Sequence, residues 1–441
     1  MSLDGLRSKI GSRQAILGVV GLGYVGLTVA CALAKAGFSV VGVDVKHDRV
    51  AMINERRCPI EGNEPGLGEL IVDVVSAGKL VATTSYVDLA RVDVALIDVE
   101  TPVDHEHRPQ YSALESACRS FGAVMKEGVL VIVESTVAPG TTNKLVRCVL
   151  EETSGLVAGE GFYLGVCPER VMPGRLLANL RTMNRVCGGT DLETARTMAA
   201  LYRTIVDADL DTCDTTTAEI VKTAENAYRD VQIAFANEVA LICEAVGVDV
   251  WRVRELVNKS PYRQMHLPGS GVGGHCIPKD PWLLAYAAVG GVPVRLIPAA
   301  RAVNDQMPLH VADLVAESLA EARIEVKGSR IAILGYAYLE DSDDARNSPS
   351  EVVVKRLREM GAEVVIHDPW VRQFQGEVLE CATGCDAAVI MVAHGAYSNL
   401  DLVGLRNAMR PSSPVLIDGR HVFDRARARE AGFVYRAVGQ G

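Results

Sequence analysis

The run LPGSGVGGHCIPKDPW, residues 267–282, holds an imidazole, a thiol, an ammonium and a carboxylate within six positions: His275, Cys276, Lys279 and Asp280. A thiol beside cationic groups ionises more readily and becomes a nucleophile. A carboxylate four residues later can position a water or a neighbouring cation. Gly269, Gly271, Gly273 and Gly274 lead into the thiol. Glycine admits positive φ and lets a backbone come close to a ligand. The competing reading is a tight buried turn in which Cys276 is an ordinary small apolar side chain.

A second constellation is Gly21-x-Gly23-x-x-Gly26, with Tyr24 and Val25 between the last two glycines and Asp44 eighteen residues beyond. The first glycine permits the tight turn, the second admits a pyrophosphate, and the third lets helix pack on strand. The following helix N-terminus faces the phosphates. An acidic residue at Asp44 accepts the ribose hydroxyls and repels a 2′-phosphate, which favours NAD over NADP.

Thr101 and Thr136 stand at the ends of apolar runs, as candidate cofactor or substrate contacts, or as caps of the helices that follow. Glu169, in CPERVMPG, is either a base or the partner of Arg170. Lys222 and Asn226 are four apart in a helical stretch and share one face. Arg301 precedes a Met-Pro pair on a later helix. Arg346, in the acidic run DSDDAR, is either a phosphate contact or the partner of a neighbouring Asp.

These residues need elements to hold them. QAILGVV, FSVVGVDV, VDVALIDVE and GVLVIVEST alternate with helical stretches, the βαβ rhythm of a parallel sheet. From Thr215 the pattern is helical without Gly or Pro until Gly247. SRIAILGYAY, GAEVVIHDP, DAAVIMVA and SPVLIDG then repeat the βαβ rhythm, without a second GxGxxG. The expected class is α/β: two Rossmann-like parallel-sheet domains joined by a central all-helical region with one long helix. The expected boundaries are 1–212, 213–318 and 319–441, which fits 441 residues at about 150 per domain.

The formal net charge of −10, with basic residues dispersed, argues against nucleic acid as a partner. Eleven cysteines at irregular intervals contain no CxxC pair. Neither a disulfide framework nor a metal site is supported, and reduced thiols imply a cytoplasmic home. The longest apolar runs, such as 386–393, fall well short of a membrane span.

GLGYVGL, ETP, STVAPGTT, CPERVMPG, EIVKTAENAYR, GSGVGGHCIPKDP, VNDQMP and GYAYLEDSDDARNSP occur in this order. The set resembles the UDP-glucose/GDP-mannose dehydrogenase family over almost the whole chain. That resemblance implies an NAD domain, a central helical dimerisation region and a C-terminal nucleotide-sugar domain. It implies a four-electron oxidation of a sugar C6 alcohol to a carboxylate with two NAD and no metal. Cys276 would attack the C6 aldehyde, and a thiohemiacetal and a thioester would follow. Lys222 and Asn226 would surround the C6 oxygen, and Asp280 would hold a water or Lys222. Glu169 would be the base of thioester hydrolysis, with Thr136 near it. Arg170, Gly273, Arg301 and Arg346 complete the expected substrate contacts. CPERVMPG with GVGGHC is similar to the branch acting on UDP-N-acetylhexosamines. The expected substrate is therefore UDP-ManNAc, ahead of UDP-GlcNAc and UDP-GalNAc. Lys279 and the Leu339 that replaces a usual Lys depart from the pattern, and Lys279 keeps UDP-glucose as the alternative. A homodimer through the central helix is expected, with possible further assembly. Two other readings stand beside it: a two-electron hydroxyacid dehydrogenase, and a nucleotide-sugar binding protein without catalysis.

Overall fold

A computed structural model describes residues 1–60, 62, 64–410 and 412–441. They divide into two compact units, residues 1–225 with 282–292, and residues 226–281 with 293–441.

The first unit is built on an eight-stranded sheet. In chain order its strands are β1 (Ile16–Val20), β2 (Ser39–Val43), β3 (Leu80–Thr83), β4 (Val94–Ile97), β5 (Leu130–Val133), β6 (Tyr163–Val166), β7 (Arg185–Gly189) and β8 (Leu210–Asp214). Their spatial order is β3-β2-β1-β4-β5-β6-β7-β8. All pairs are parallel except β6 with β7. VALI in β4 and LVIV in β5 are buried at every position, as strands covered by helices on both faces must be. The chain crosses to opposite sides at β1, which lies between β2 and β4. That switch point opens a crevice beyond the carboxyl ends of the strands, where ligands of such sheets sit.

The second unit carries a five-stranded parallel sheet: β9 (Arg330–Leu334), β10 (Glu363–His367), β11 (Ala387–Ile390), β12 (Val415–Asp418) and β13 (Val434–Ala437), in the order β10-β9-β11-β12-β13. Its switch point, at β9, is braced from within. The buried Asp368 carboxylate accepts the N–H groups of Tyr336 and Ala337 at 2.6 and 2.8 Å, and His394 Nε2 lies 3.2 Å from the same oxygen. His394 Nδ1 accepts the Asp341 N–H, so the imidazole donates through Nε2 to Asp368.

The helix Thr215–Val246 is 32 residues long. Asp214 caps it, accepting the Thr217 N–H at 2.9 Å. Gly247 follows its end with φ +75°. The two parallel-rich sheets and this helix bear out the expected α/β class. The sequence did not anticipate β3, β7, β8 and β13, short strands with mixed or polar composition.

Candidate active site

In the first unit the glycine turn has the shape a dinucleotide needs. Gly21 has φ +91°, and a Cβ there would lie 2.3 Å from the Asp98 carbonyl oxygen. A Cβ on Gly26 would lie 2.0 Å from the Gly21 carbonyl oxygen. Around Gly23 a Cβ would meet nothing within 4 Å. The outer glycines are therefore fixed by packing, while the middle one leaves open space at the N-cap of the helix Tyr24–Lys35. That is the division of labour expected for NAD, and the residues present fit it.

Asp44 follows β2. Its carboxylate accepts the Leu22 N–H and the Lys46 N–H, each at 2.9 Å, and pairs with Arg49 at 2.8 Å. The acid thus braces the turn. The Tyr24 hydroxyl donates to Glu64, whose carboxylate also accepts the N–H groups of Gly174 and Leu176 at 2.6 and 3.2 Å. Glu64 thereby ties the glycine turn to the loop after Glu169. Neither Arg49 nor Glu64 stood out in the sequence; the backbone partners of Glu64 lie 110 and 112 residues along the chain.

Thr101 Oγ1 donates to the Thr136 carbonyl at 2.6 Å, joining the chain beyond β4 to the chain beyond β5. Glu169 is buried. One of its oxygens accepts the Arg170 N–H at 2.7 Å, and the other accepts from Arg185. The Arg170 guanidinium turns to Glu225 instead, in a bidentate pair at 2.9 and 2.5 Å. Lys222 is buried on the long helix, one turn before Asn226.

In the second unit the thiol loop is held on its own chain from both sides. Gly269 N–H donates to Asn237 Oδ1 at 2.9 Å, and Ser270 Oγ donates to the Met391 carbonyl at 3.0 Å. Gly274 N–H donates to the Arg346 carbonyl at 3.0 Å, and Asn347 Nδ2 donates back to the Gly274 carbonyl at 3.1 Å. A Cβ on Gly273 would lie 2.6 Å from the Tyr338 Cβ and 2.8 Å from the Asn347 carbonyl oxygen. The close approach these glycines permit is to the 338–349 segment of the chain itself. Gly273 has that packing role.

Cys276 emerges from this loop exposed. Its carbonyl accepts the N–H groups of Lys279 and Asp280 at 3.1 and 2.9 Å, closing a turn. Burial lowers the pKa of His275, helped by the charges of Lys279 and Arg346. Asp280 is almost fully buried. It accepts from Asn226 Nδ2 at 2.6 Å and lies 3.3 Å from the Lys279 ammonium. The Asn226 amide is thereby fixed in orientation.

Two expected substrate contacts sit in internal ion pairs. Arg301 is buried between Asp230, at 2.6 Å, and Asp305. It fastens the helix Leu296–Glu321 to the long helix. Arg346 pairs with Asp344 through Nε at 2.9 Å and Nη2 at 2.5 Å, while its backbone anchors the thiol loop.

Among the described residues no group of three His, Cys, Asp or Glu is arranged to hold a metal, and no helix is long and apolar enough to cross a membrane. Comparison with known proteins adds four findings. The family models for UDP-glucose/GDP-mannose dehydrogenases match residues 15–206 as the NAD binding domain, 216–306 as the central domain and 332–425 as the UDP binding domain. The UDP-N-acetyl-D-mannosamine dehydrogenase of Pyrococcus horikoshii is 40% identical over 425 residues, 96% of this chain and 99% of the relative. A solved structure of UDP-D-ManNAc dehydrogenase from that organism superposes with TM-score 0.91 at 39% identity, covering 97% and 99% of the two chains. One of NDP-N-acetyl-D-galactosaminuronic acid dehydrogenase from Methanosarcina mazei superposes with TM-score 0.86 at 37% identity, covering 100% and 98%.

Proposed function

The chain belongs to the UDP-glucose/GDP-mannose dehydrogenase family, and from that premise we propose that it oxidises the C6 hydroxyl of a UDP-N-acetylhexosamine to the uronate. UDP-ManNAc is the favoured substrate, with UDP-GlcNAc and UDP-GalNAc next and UDP-glucose the alternative. The observation that carries the choice of sugar is the 40% identity to a UDP-N-acetyl-D-mannosamine dehydrogenase over nearly the full length of both chains. The three regions 1–212, 213–318 and 319–441 then divide the work into NAD binding, catalysis with dimerisation, and UDP binding.

NAD, held by the Gly21–Gly26 turn and Asp44, supplies the hydride acceptor for both oxidations. The chain's own residues do the rest. Lys222 and Asn226 donate to the C6 oxygen as it gains negative charge, and fixed donors of this kind stabilise an oxyanion without reorganising. Asp280 keeps Asn226 aimed. The first oxidation removes a hydride from C6 and the hydroxyl proton, which passes to water, leaving the aldehyde. The Cys276 thiolate attacks its C6, breaking the carbonyl π bond and forming a C–S bond. The thiohemiacetal oxyanion, stabilised by Lys222 and Asn226, loses a second hydride to leave a thioester, an acyl group that water can cleave. Glu169 accepts the proton of the attacking water, with Thr136 beside it. The C–S bond then breaks, Cys276 leaves as a thiolate, and the uronate is released.

A homodimer through the long helix is part of the proposal. Tyr228, Phe235, Ile242 and Val246 are 66%, 58%, 55% and 66% exposed on that helix. Spacings of seven, seven and four put them on one stripe, the pattern of a helix that packs on another. A cytoplasmic location suits an enzyme that draws on NAD and a nucleotide sugar.

Initial rates of NADH formation over UDP-ManNAc, UDP-GlcNAc, UDP-GalNAc, UDP-glucose and GDP-mannose test the substrate. UDP-ManNAc should give the highest kcat/KM. A clear preference for UDP-glucose would overturn the choice of sugar while leaving the reaction class standing.

A further inference from the structure

Beyond the carboxyl ends of β4 to β6, in the first unit, lies a group of buried ionisable side chains of which the reaction above uses only one. Asp98 follows β4, Glu134 follows β5, Glu169 lies three residues past β6, and Arg185 opens β7. Arg185 is 1% exposed. Its Nη2 donates to Glu169, and its Nη1 lies 3.5 Å from Glu134 Oε1. The guanidinium stands over the ring of Tyr202, 4.9 Å from the centroid. The Tyr202 hydroxyl in turn donates to Glu134 Oε1 at 2.6 Å.

Charge balance explains the remaining members. An arginine buried alone would cost several kcal/mol, and removing one partner of such a pair leaves an uncompensated charge. Three carboxylates around one guanidinium overshoot in the other direction. Asp98 Oδ2 and Glu134 Oε2 are both buried without a donor. Burial and the neighbouring Glu134 push the Asp98 carboxyl well above the usual range, and burial raises the Glu134 carboxyl as well.

Glu169 is the member whose carboxylate is fixed at both oxygens, by the Arg170 N–H and by Arg185. We propose that Arg185 is a positioning residue for thioester hydrolysis, fixing the Glu169 carboxylate as acceptor for the proton of the attacking water. Glu134 and Tyr202 hold Arg185 in place from its other side. The step is the one already written: water adds to the acyl carbon, its proton goes to Glu169, and Cys276 departs as thiolate. No further reactant is needed. The inference rests on the reading of Glu169 as the hydrolytic base.

The two can be separated by pre-steady-state kinetics with saturating NAD and the best UDP-sugar, on wild type, Glu169→Gln, Arg185→Met, Arg185→Lys and Tyr202→Phe. Glu169→Gln and Arg185→Met should each release a burst of two NADH per site. Steady turnover should then be slower by about tenfold or more, as misplaced catalytic groups produce. Acid-quenched Glu169→Gln and Arg185→Met enzyme should carry the acyl group on Cys276, seen by mass spectrometry. Arg185→Lys keeps the charge without the fork and should recover part of the rate. Tyr202→Phe, a milder change, should slow turnover and spare the burst. If Glu169→Gln hydrolyses at the wild-type rate, the base assignment fails. If Glu169→Gln stalls but Arg185→Lys and Tyr202→Phe match wild type, the positioning role alone is overturned. A loss of burst and turnover together in every folded Arg185 and Tyr202 variant also overturns it, because a purely structural residue behaves that way.

Discussion

The Cys276 thiol is exposed on a loop whose other residues are fixed by backbone hydrogen bonds and close packing. A nucleophile so presented needs no movement of its support before it can react. Cys276→Ala should therefore abolish uronate formation while UDP-sugar and NAD binding persist, because the thiol makes covalent bonds only during reaction. Isothermal titration beside an activity assay checks this, and full uronate production by the variant would exclude the covalent route. Asp44 braces the turn at Leu22 and Lys46, and ribose recognition is its proposed second task. Asp44→Ala should weaken NAD by about tenfold or more, since hydrogen bonds to a charged group are worth about 1.5–3 kcal/mol. It should also relax discrimination against NADP, and fluorescence titration with both cofactors measures each effect. At this scale the sequence was informative where chemistry is local. The turn glycines, Asp44 and Cys276 announce themselves by type and spacing. Arg185, Tyr202 and Glu64 do not, because their meaning comes from partners 16, 68 and 110 residues away in the chain.

The two sheets brace their switch points in the same way. At the first, Asp44 accepts the Leu22 N–H beside the open space at Gly23; at the second, Asp368 accepts the Tyr336 and Ala337 N–H groups and His394 adds a further donor. Burial alone would raise the Asp368 carboxyl. Bonds from His394 and from the N–H groups of Ala337, Val371 and Trp370 outweigh it and hold the group well below the usual carboxylate range. A carboxyl held low in the folded state contributes stability above its unfolded value, about pH 4, and loses it as the pH falls further. Hydrogen exchange over β9 to β11 should therefore show protection falling below about pH 4. Asp368→Asn should lower stability at neutral pH by about 2–4 kcal/mol and flatten that acid response. An unchanged response in the variant would assign the acid sensitivity elsewhere. The long βαβ runs were legible because buried parallel strands are continuous apolar stretches. The antiparallel β7, beginning at Arg185, was not, because a charged residue at a strand start reads as loop until its buried partners are known.

For the whole molecule, the long helix leaves a stripe of Tyr228, Phe235, Ile242 and Val246 exposed on a single chain. A second copy of the helix is the occupant this pattern suits. Phe235→Glu with Ile242→Glu should shift sedimentation from dimer to monomer, and a dimer that survives both changes would place the interface elsewhere. The central claim is a four-electron oxidation on one sugar carbon, with the aldehyde carried through on Cys276 rather than released. Its most direct test is the ratio of NADH to uronate with limiting UDP-ManNAc and excess NAD. Two NADH for each uronate, with no free aldehyde accumulating, is the predicted result. One NADH for each sugar, with an aldehyde or ketone as the final product, would contradict it.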